Sequence, residues 1–297
     1  MNGFDLTMPR VLVVLGCALL LGGICLAPTA VVHAESPVLF ESFDADAPGD
    51  LHERLESHRH LSLVEGEGVD GSTGLKADYV GFDQGSERIV VRQSLDQRMS
   101  EATLSYDVKF PEEFQFVRGG KLHGLGPESP VTGGHDREPH RWSARVTFSR
   151  DDSVRTYVYD QTEDVTYGVG RGPGNGFTFS REQYHAVSMH MRLNDPEQSN
   201  GFVNIYVDGK RVVTHDGLRI RATGGENTLI QNFLFSTFHG GSSPSWAPVD
   251  EDGEYTTVHA YFDNFAVHEG EAIREAPLSQ EQVREKIDNS GTDYELS

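Results

Sequence analysis

The sequence predicts an all-β fold, an antiparallel two-sheet sandwich of jelly-roll type with one concave face open to an extended ligand. Three observations carry this expectation. Apolar residues alternate with period two in one segment after another, glycine-bearing turns separate the segments, and no long amphipathic helix intervenes.

Val38-Leu39-Phe40 reads as an entry strand, followed to about Asp70 by polar loops rich in Asp, Glu and His. In 102–110, Ala102, Leu104, Tyr106, Val108 and Phe110 share one face. In 142–148 the apolar set is Trp142, Ala144, Val146 and Phe148, which leaves Ser143, Arg145 and Thr147 opposite. Val187, Met189, Met191 and Leu193 alternate with Ser188, His190 and Arg192. Phe202 to Val207 runs into Asp208-Gly209, a pair suited to the left-handed conformations of a tight hairpin. Further strands fit 211–215, 229–236 and 257–268. One helix is expected, near the C-terminus, with Ser279 as N-cap, Gln282 as its reciprocal partner, and Val283 and Ile287 on one stripe.

Arg10 precedes an apolar run from Val11 to about Val32, and Val32-His33-Ala34 supplies a small-residue cleavage signal. Residues 1–34 are therefore expected to be a secretory signal peptide, and the product to be secreted or periplasmic. A retained anchor is the alternative, because the run nearly spans a bilayer. Val14-Leu15-Gly16-Cys17 only weakly resembles a lipidation signal. Residues 35–270 should form one β domain, and 271–297 a short helix and acidic tail. Cys17 and Cys25 both lie in the leader, so the mature chain has no thiol for a disulfide, a nucleophile or a metal.

The formal charge is -21, from 46 acidic and 25 basic residues, which disfavours nucleic acid and anionic membranes as partners. The mature protein is expected to be a monomer. An anionic ligand would be repelled at long range unless cations gather where it binds, or unless salt is high enough to shrink the Debye length to about 3 Å.

Such a gathering is visible between Gly119 and Tyr159. Tyr157 and Tyr159 leave the same face of one strand, and Ser143 and Arg145 share a face of the preceding one. Two tyrosines on a sheet can simply pack or stack on a sugar. Beside cations, one phenol is expected to fall below its free pKa of about 10 and to serve as an acid–base group. Lys121 lies between Gly119-Gly120 and Gly124-Gly126 and reads as a cation in a glycine-rich loop. His190 and Tyr206, on alternating polar positions, are candidates for the same face.

These parts suit β-elimination at a uronic acid. The C5 proton is too weakly acidic to leave until the adjacent carboxylate is neutralised, which Lys121 and Arg145 could do while a tyrosine moves the proton. A glycosidase would need two carboxylates flanking the bond, and no strand carries them in alternation. Asp250 to Glu254 reads as an acidic turn, and Gly168 to Gly172 as a loop without a nucleotide-binding context. Histidines at metal-site spacing and a G-x-S-x-G elbow are absent. Acidic loops can hold structural calcium, but nothing indicates one and the chemistry requires no cofactor. A non-catalytic carbohydrate-binding sandwich is the alternative of a different class, and a glycoside hydrolase the remaining one.

From Phe110 to Val267 the chain resembles polysaccharide lyase family 14, the alginate and glucuronan lyase group. The resemblance rests on GGKLHGLG (119–126), RWSAR (141–145), YVY (157–159), IYVDGK (205–210), FSTFHGGSSPSWAP (235–248) and YFDNFAV (261–267). It implies a jelly roll that cleaves uronic-acid polymers by β-elimination without a required metal. It also implies functional roles for Lys121, Ser143, Arg145, Tyr157 and Tyr159. His123 and His239 depart from the commoner pattern and are expected near the cleft, where they would affect substrate preference.

Overall fold

The computed structural model describes residues 36–44 and 48–291, with side chains to 287. Residues 1–35, with both cysteines and the expected signal peptide, lie outside these residues. Described in chain order are β1 (Leu39–Glu41), α1 (Asp50–Glu56), β2 (Leu61–Glu65), β3 (Thr73–Phe82), β4 (Gly85–Ser86), β5 (Ile89–Met99), β6 (Glu101–Lys109) and β7 (Gly119–Gly126). Then come β8 (Ser143–Ser149), β9 (Val154–Tyr159), β10 (Tyr184–Arg192), β11 (Gly201–Val207), β12 (Lys210–Val213), β13 (Asp216–Leu218), β14 (Ile230–His239), β15 (Thr257–Glu269) and α2 (Gln280–Gly291).

The strands form two antiparallel sheets. The larger runs β12-β11-β10-β6-β15-β3-β2, with β1, β4 and β13 pairing at its margins. The smaller runs β5-β14-β7-β8-β9. Period-two alternation turns Leu104, Tyr106 and Val108 from one sheet toward Ala144, Val146 and Phe148 from the other, and all are buried. Each such aromatic or branched side chain contributes roughly 1.5–3 kcal/mol on burial. Trp142 is fully buried, and its indole N–H donates to the Thr228 carbonyl at 2.9 Å.

The Asp208-Gly209 hairpin forms as expected. Both residues have positive φ, 48° and 73°, and Val207 pairs with Lys210. The helix α2 also starts as predicted: the Ser279 N–H donates to Gln282 Oε1 at 2.9 Å, and the Gln282 N–H to Ser279 Oγ at 3.3 Å. One expectation fails in the region before Asp70. It holds the helix α1 and the strand β2 rather than loops alone, because Leu51 and Leu55, one helical turn apart, both reach the core.

The middle of the larger sheet's outer face is covered by the chain itself. Residues 270–278 lie along it: Thr103 Oγ1 donates to the Gly270 carbonyl at 2.6 Å, and the Arg274 N–H donates to Ser188 Oγ at 3.1 Å. Arg274 Nη1 meets the fully buried Asp107 at 3.0 Å. This seam leaves the outer face of the five-stranded sheet as the open one.

Candidate active site

Alternation and register assemble the outer face of the smaller sheet in three rows. One row reads Arg92, Leu234, Gly124, Arg145 and Tyr157, directly paired strand by strand from β5 to β9. Beside it lie Phe238, Lys121, Thr147 and Arg155. A third row begins with Ser94 and Asn232 and includes the Ser143–Tyr159 pair. None of these residues is acidic. In a chain with a formal charge of -21, this face is a cationic strip.

Lys121 sits in the central strand of the sheet, not in a loop. The glycines around it keep the strand low. At Gly124 a side chain would collide with the Ala144 carbonyl and with Arg145, so its absence lets the Arg145 side chain lie across β7. Arg145 is 7% exposed, and its Nη1 donates to Ser143 Oγ at 3.3 Å, while Ser143 donates to the Val131 carbonyl at 2.7 Å. Ser143 is wholly buried, its hydroxyl turned to Arg145 and the Val131 carbonyl rather than to the surface.

Lys121 Nζ lies 3.8 Å from the centroid of the Tyr157 ring. Burial, then the charges of Arg145 and Arg88, lower the Lys121 amine to about 8. Burial likewise lowers Arg145 to about 10. The expected fall of the tyrosine is reversed. Burial raises the Tyr157 phenol, reinforced by Tyr159 and outweighing the Gly168 amide and Arg145. The two rings meet edge to face, 5.6 Å apart. Tyr157 is half-buried, and its hydroxyl accepts from the Gly168 N–H at 3.3 Å. Tyr159 is 1% exposed, and its hydroxyl accepts from the Gly134 N–H at 2.9 Å. Tyr157 is therefore the reachable phenol of the pair.

Four expected site residues lie elsewhere. A register shift between Lys121 and Gly124 turns both Leu122 and His123 inward. His123 is enclosed by Tyr106, Phe235, Phe262 and Phe265, and burial holds its imidazole well below the usual value. His239 also faces the core, among Tyr79, Phe114 and Phe148, and Nε2 donates to the Gln115 carbonyl at 2.6 Å. Burial lowers it to about 4. His190 and Tyr206 belong to the other sheet and point away from its core-facing Met189 and Ile205, with His190 Nε2 2.8 Å from Glu101. Alternation assigns each strand a face but not a sheet, so sequence could not separate these outer faces.

The sequence reading missed Arg88 and Arg92, beside and on β5 respectively, and the amides of Gly134 and Gly168 that hold the phenols. Outward alternation of Val90, Arg92 and Ser94 against buried Ile89, Val91 and Leu95 is the signal that could have found Arg92. Among the described residues, no group of three or more His, Cys, Asp or Glu is placed to share a metal ion.

The outer face of the five-stranded sheet is thus low and cation-lined, with a lysine over a reachable phenol. The sequence matches the family Polysaccharide lyase 14 over residues 75–265, and the chain belongs to that family. It is accordingly a polysaccharide lyase. Among solved structures, the PL-14 alginate lyase from Aplysia kurodai has TM-score 0.61 at 23% identity, covering 78% of this chain and 98% of that one. Alginate lyase Aly36B has TM-score 0.60 at 20% identity, with 80% and 98% covered. The endo-β-1,4-glucuronan lyase from the fungus Trichoderma reesei has TM-score 0.53 at 15% identity, with 79% and 96% covered. These likenesses establish the two-sheet sandwich. A search of curated protein sequences gave no match.

Proposed function

We propose that this protein cleaves a uronic-acid polymer, alginate or a related polyuronate, by β-elimination on the outer face of the five-stranded sheet. The observation that carries the reading is the Lys121 amine held over the Tyr157 ring, beside Arg145, on a face with no carboxylate in its three rows. The similar structures support the substrate class: one holds a mutant of Aly36B in complex with alginate tetrasaccharide, and another is a glucuronan lyase.

The contact of Lys121 with Tyr157, and the direction in which each group titrates, support the following roles. Arg145 stays charged at physiological pH and neutralises the carboxylate on C5, which acidifies the C5 proton. Burial keeps the Tyr157 phenol protonated, so it is no base at working pH but holds the proton that the departing O4 needs. The amine lowered to about 8 takes the C5 proton. The C5–H and C4–O4 bonds break, a C4–C5 double bond forms, and the phenolate then recovers its proton from the Lys121 ammonium beneath which it lies. Side chains carry all the charge in this scheme, and no metal takes part. Tyr159 and Ser143 position Tyr157 and Arg145.

The test is direct. The mature protein is incubated with alginate, polymannuronate, polyguluronate and glucuronan, and the ultraviolet absorbance of new C4–C5 double bonds is followed. Absorbance rising on at least one polymer supports the reading. Reducing ends appearing without absorbance would mean hydrolysis, and no change on any polymer would overturn it.

A further inference from the structure

We infer that Arg92 is a second carboxylate-binding residue on the edge strand β5, setting the length of polyuronate the site prefers. The inference rests on the polyuronate reading above and deepens it.

Arg92 is exposed, and among the described residues its side chain makes no hydrogen bond or ion pair. Elsewhere on the surface, the arginines at 59, 98 and 141 pair with glutamates and Arg181 with an aspartate. The chain has nearly two acidic residues for each basic one, so an unpaired guanidinium is not for want of partners. Across the face its charge is felt by Arg145, whose guanidinium it helps to lower. A carboxylate bound between two like charges on one face offsets their repulsion.

The floor between them is built low. Going from Arg92 toward Arg145, the paired residues are Leu234, which is 4% exposed, and Gly124, which has no side chain. Beyond Arg145 comes Tyr157 on the opposite edge strand. The row thus crosses the whole sheet, with a cation near each side and no acidic residue between.

The dimensions fit a polymer laid across the strands. Neighbouring strands lie about 4.8 Å apart, close to the length that one 1,4-linked pyranose adds to a chain. A polyuronate crossing the sheet therefore offers about one carboxylate per strand, and Arg92, three strands from Arg145, meets the sugar about three places from the one at Arg145. Short oligomers would occupy the reacting end without reaching β5.

The experiment uses Arg92→Ala, Arg92→Lys and, as a control on the same strand, Arg98→Ala, with oligouronates of graded length. In turnover, Arg92→Ala should raise KM about 2- to 5-fold on polymer and long oligomers, the worth of one exposed charge pair. It should leave kcat and the trimer kcat/KM unchanged, Arg92→Lys should restore much of the loss, and Arg98→Ala should match the parent. Equal losses at every length, or none, would overturn the assignment. Equilibrium binding of the same oligomers to Tyr157→Phe, with and without Arg92→Ala, separates this inference from the lyase reading. A length-dependent affinity lost with Arg92 supports the subsite even if no polymer is cleaved, whereas cleavage with an unaltered length dependence sinks the subsite and leaves the lyase standing.

Discussion

The Nζ of Lys121 lies 3.8 Å from the ring centroid of Tyr157, and the two residues reach this contact from strands that are not neighbours. Between them runs β8, whose Arg145 is paired on one side with Gly124 and on the other with Tyr157. An amine near neutrality and a phenol held protonated are thereby placed together, with a guanidinium alongside.

The first consequence is a pH profile. If the neutral amine takes the proton, kcat/KM should rise with pH through about 8, since this parameter reports the free enzyme. The alternative role, an ammonium neutralising the carboxylate, gives the opposite sign, with kcat/KM falling as pH passes 8. Lys121→Arg keeps a charge but cannot give it up, and should lose at least ~10²-fold in kcat at every pH.

The tyrosines should separate in kind. Tyr157→Phe removes the reachable hydroxyl and should lower kcat by ~10²-fold or more. Tyr159→Phe removes an acceptor for the Gly134 N–H and should act chiefly on KM, through the loop that amide belongs to. Steady-state kinetics on one polymer would decide, and equal kcat losses in both would argue against a single acid.

Gly124→Ala tests the low floor. A methyl there meets the Ala144 carbonyl and the Arg145 side chain, so overpacking should cost about 1–3 kcal/mol and push Arg145 from its place. Activity should fall much further than the melting temperature suggests. Unchanged turnover would mean that Arg145 does not depend on the gap.

The seam on the far side of the sandwich should bear on stability alone. Arg274→Ala strands the buried Asp107 carboxylate and should destabilise the fold by about 3–5 kcal/mol in denaturant titration. The folded fraction should keep its kcat/KM, because residues 270–278 lie on the sheet that does not carry the site.

A charge of -21 should also make the fold salt-dependent. Self-repulsion weakens as salt screens it, so the melting temperature should climb between low salt and ~2 M NaCl. A flat response would mean that the acidic surface is not a source of instability.

The local rules of the chain determined much of this. Alternation marked most of the strands and, within each, the face opposite the core, because a pleated backbone sends successive side chains to opposite sides. The Asp208-Gly209 turn and the Ser279–Gln282 cap were equally local, each settled by residues within four of one another. The grouping of Ser143 with Arg145 and of Tyr157 with Tyr159 was legible for the same reason.

What only the tertiary structure decided was where those faces meet. His190 and Tyr206 have the same outward alternation as Arg145, yet β10 and β11 belong to the other sheet, and strand pairing over long separations leaves no trace in period two. His123 stands two residues from Lys121, a spacing that promises a shared face until the irregularity in β7 reverses it. The direction of the Tyr157 shift, too, depends on burial, which is a property of everything packed around the phenol. Sequence named the chemical groups; the order of strands in the sheet, and the desolvation that comes with it, fixed which of them face one another and in which protonation state.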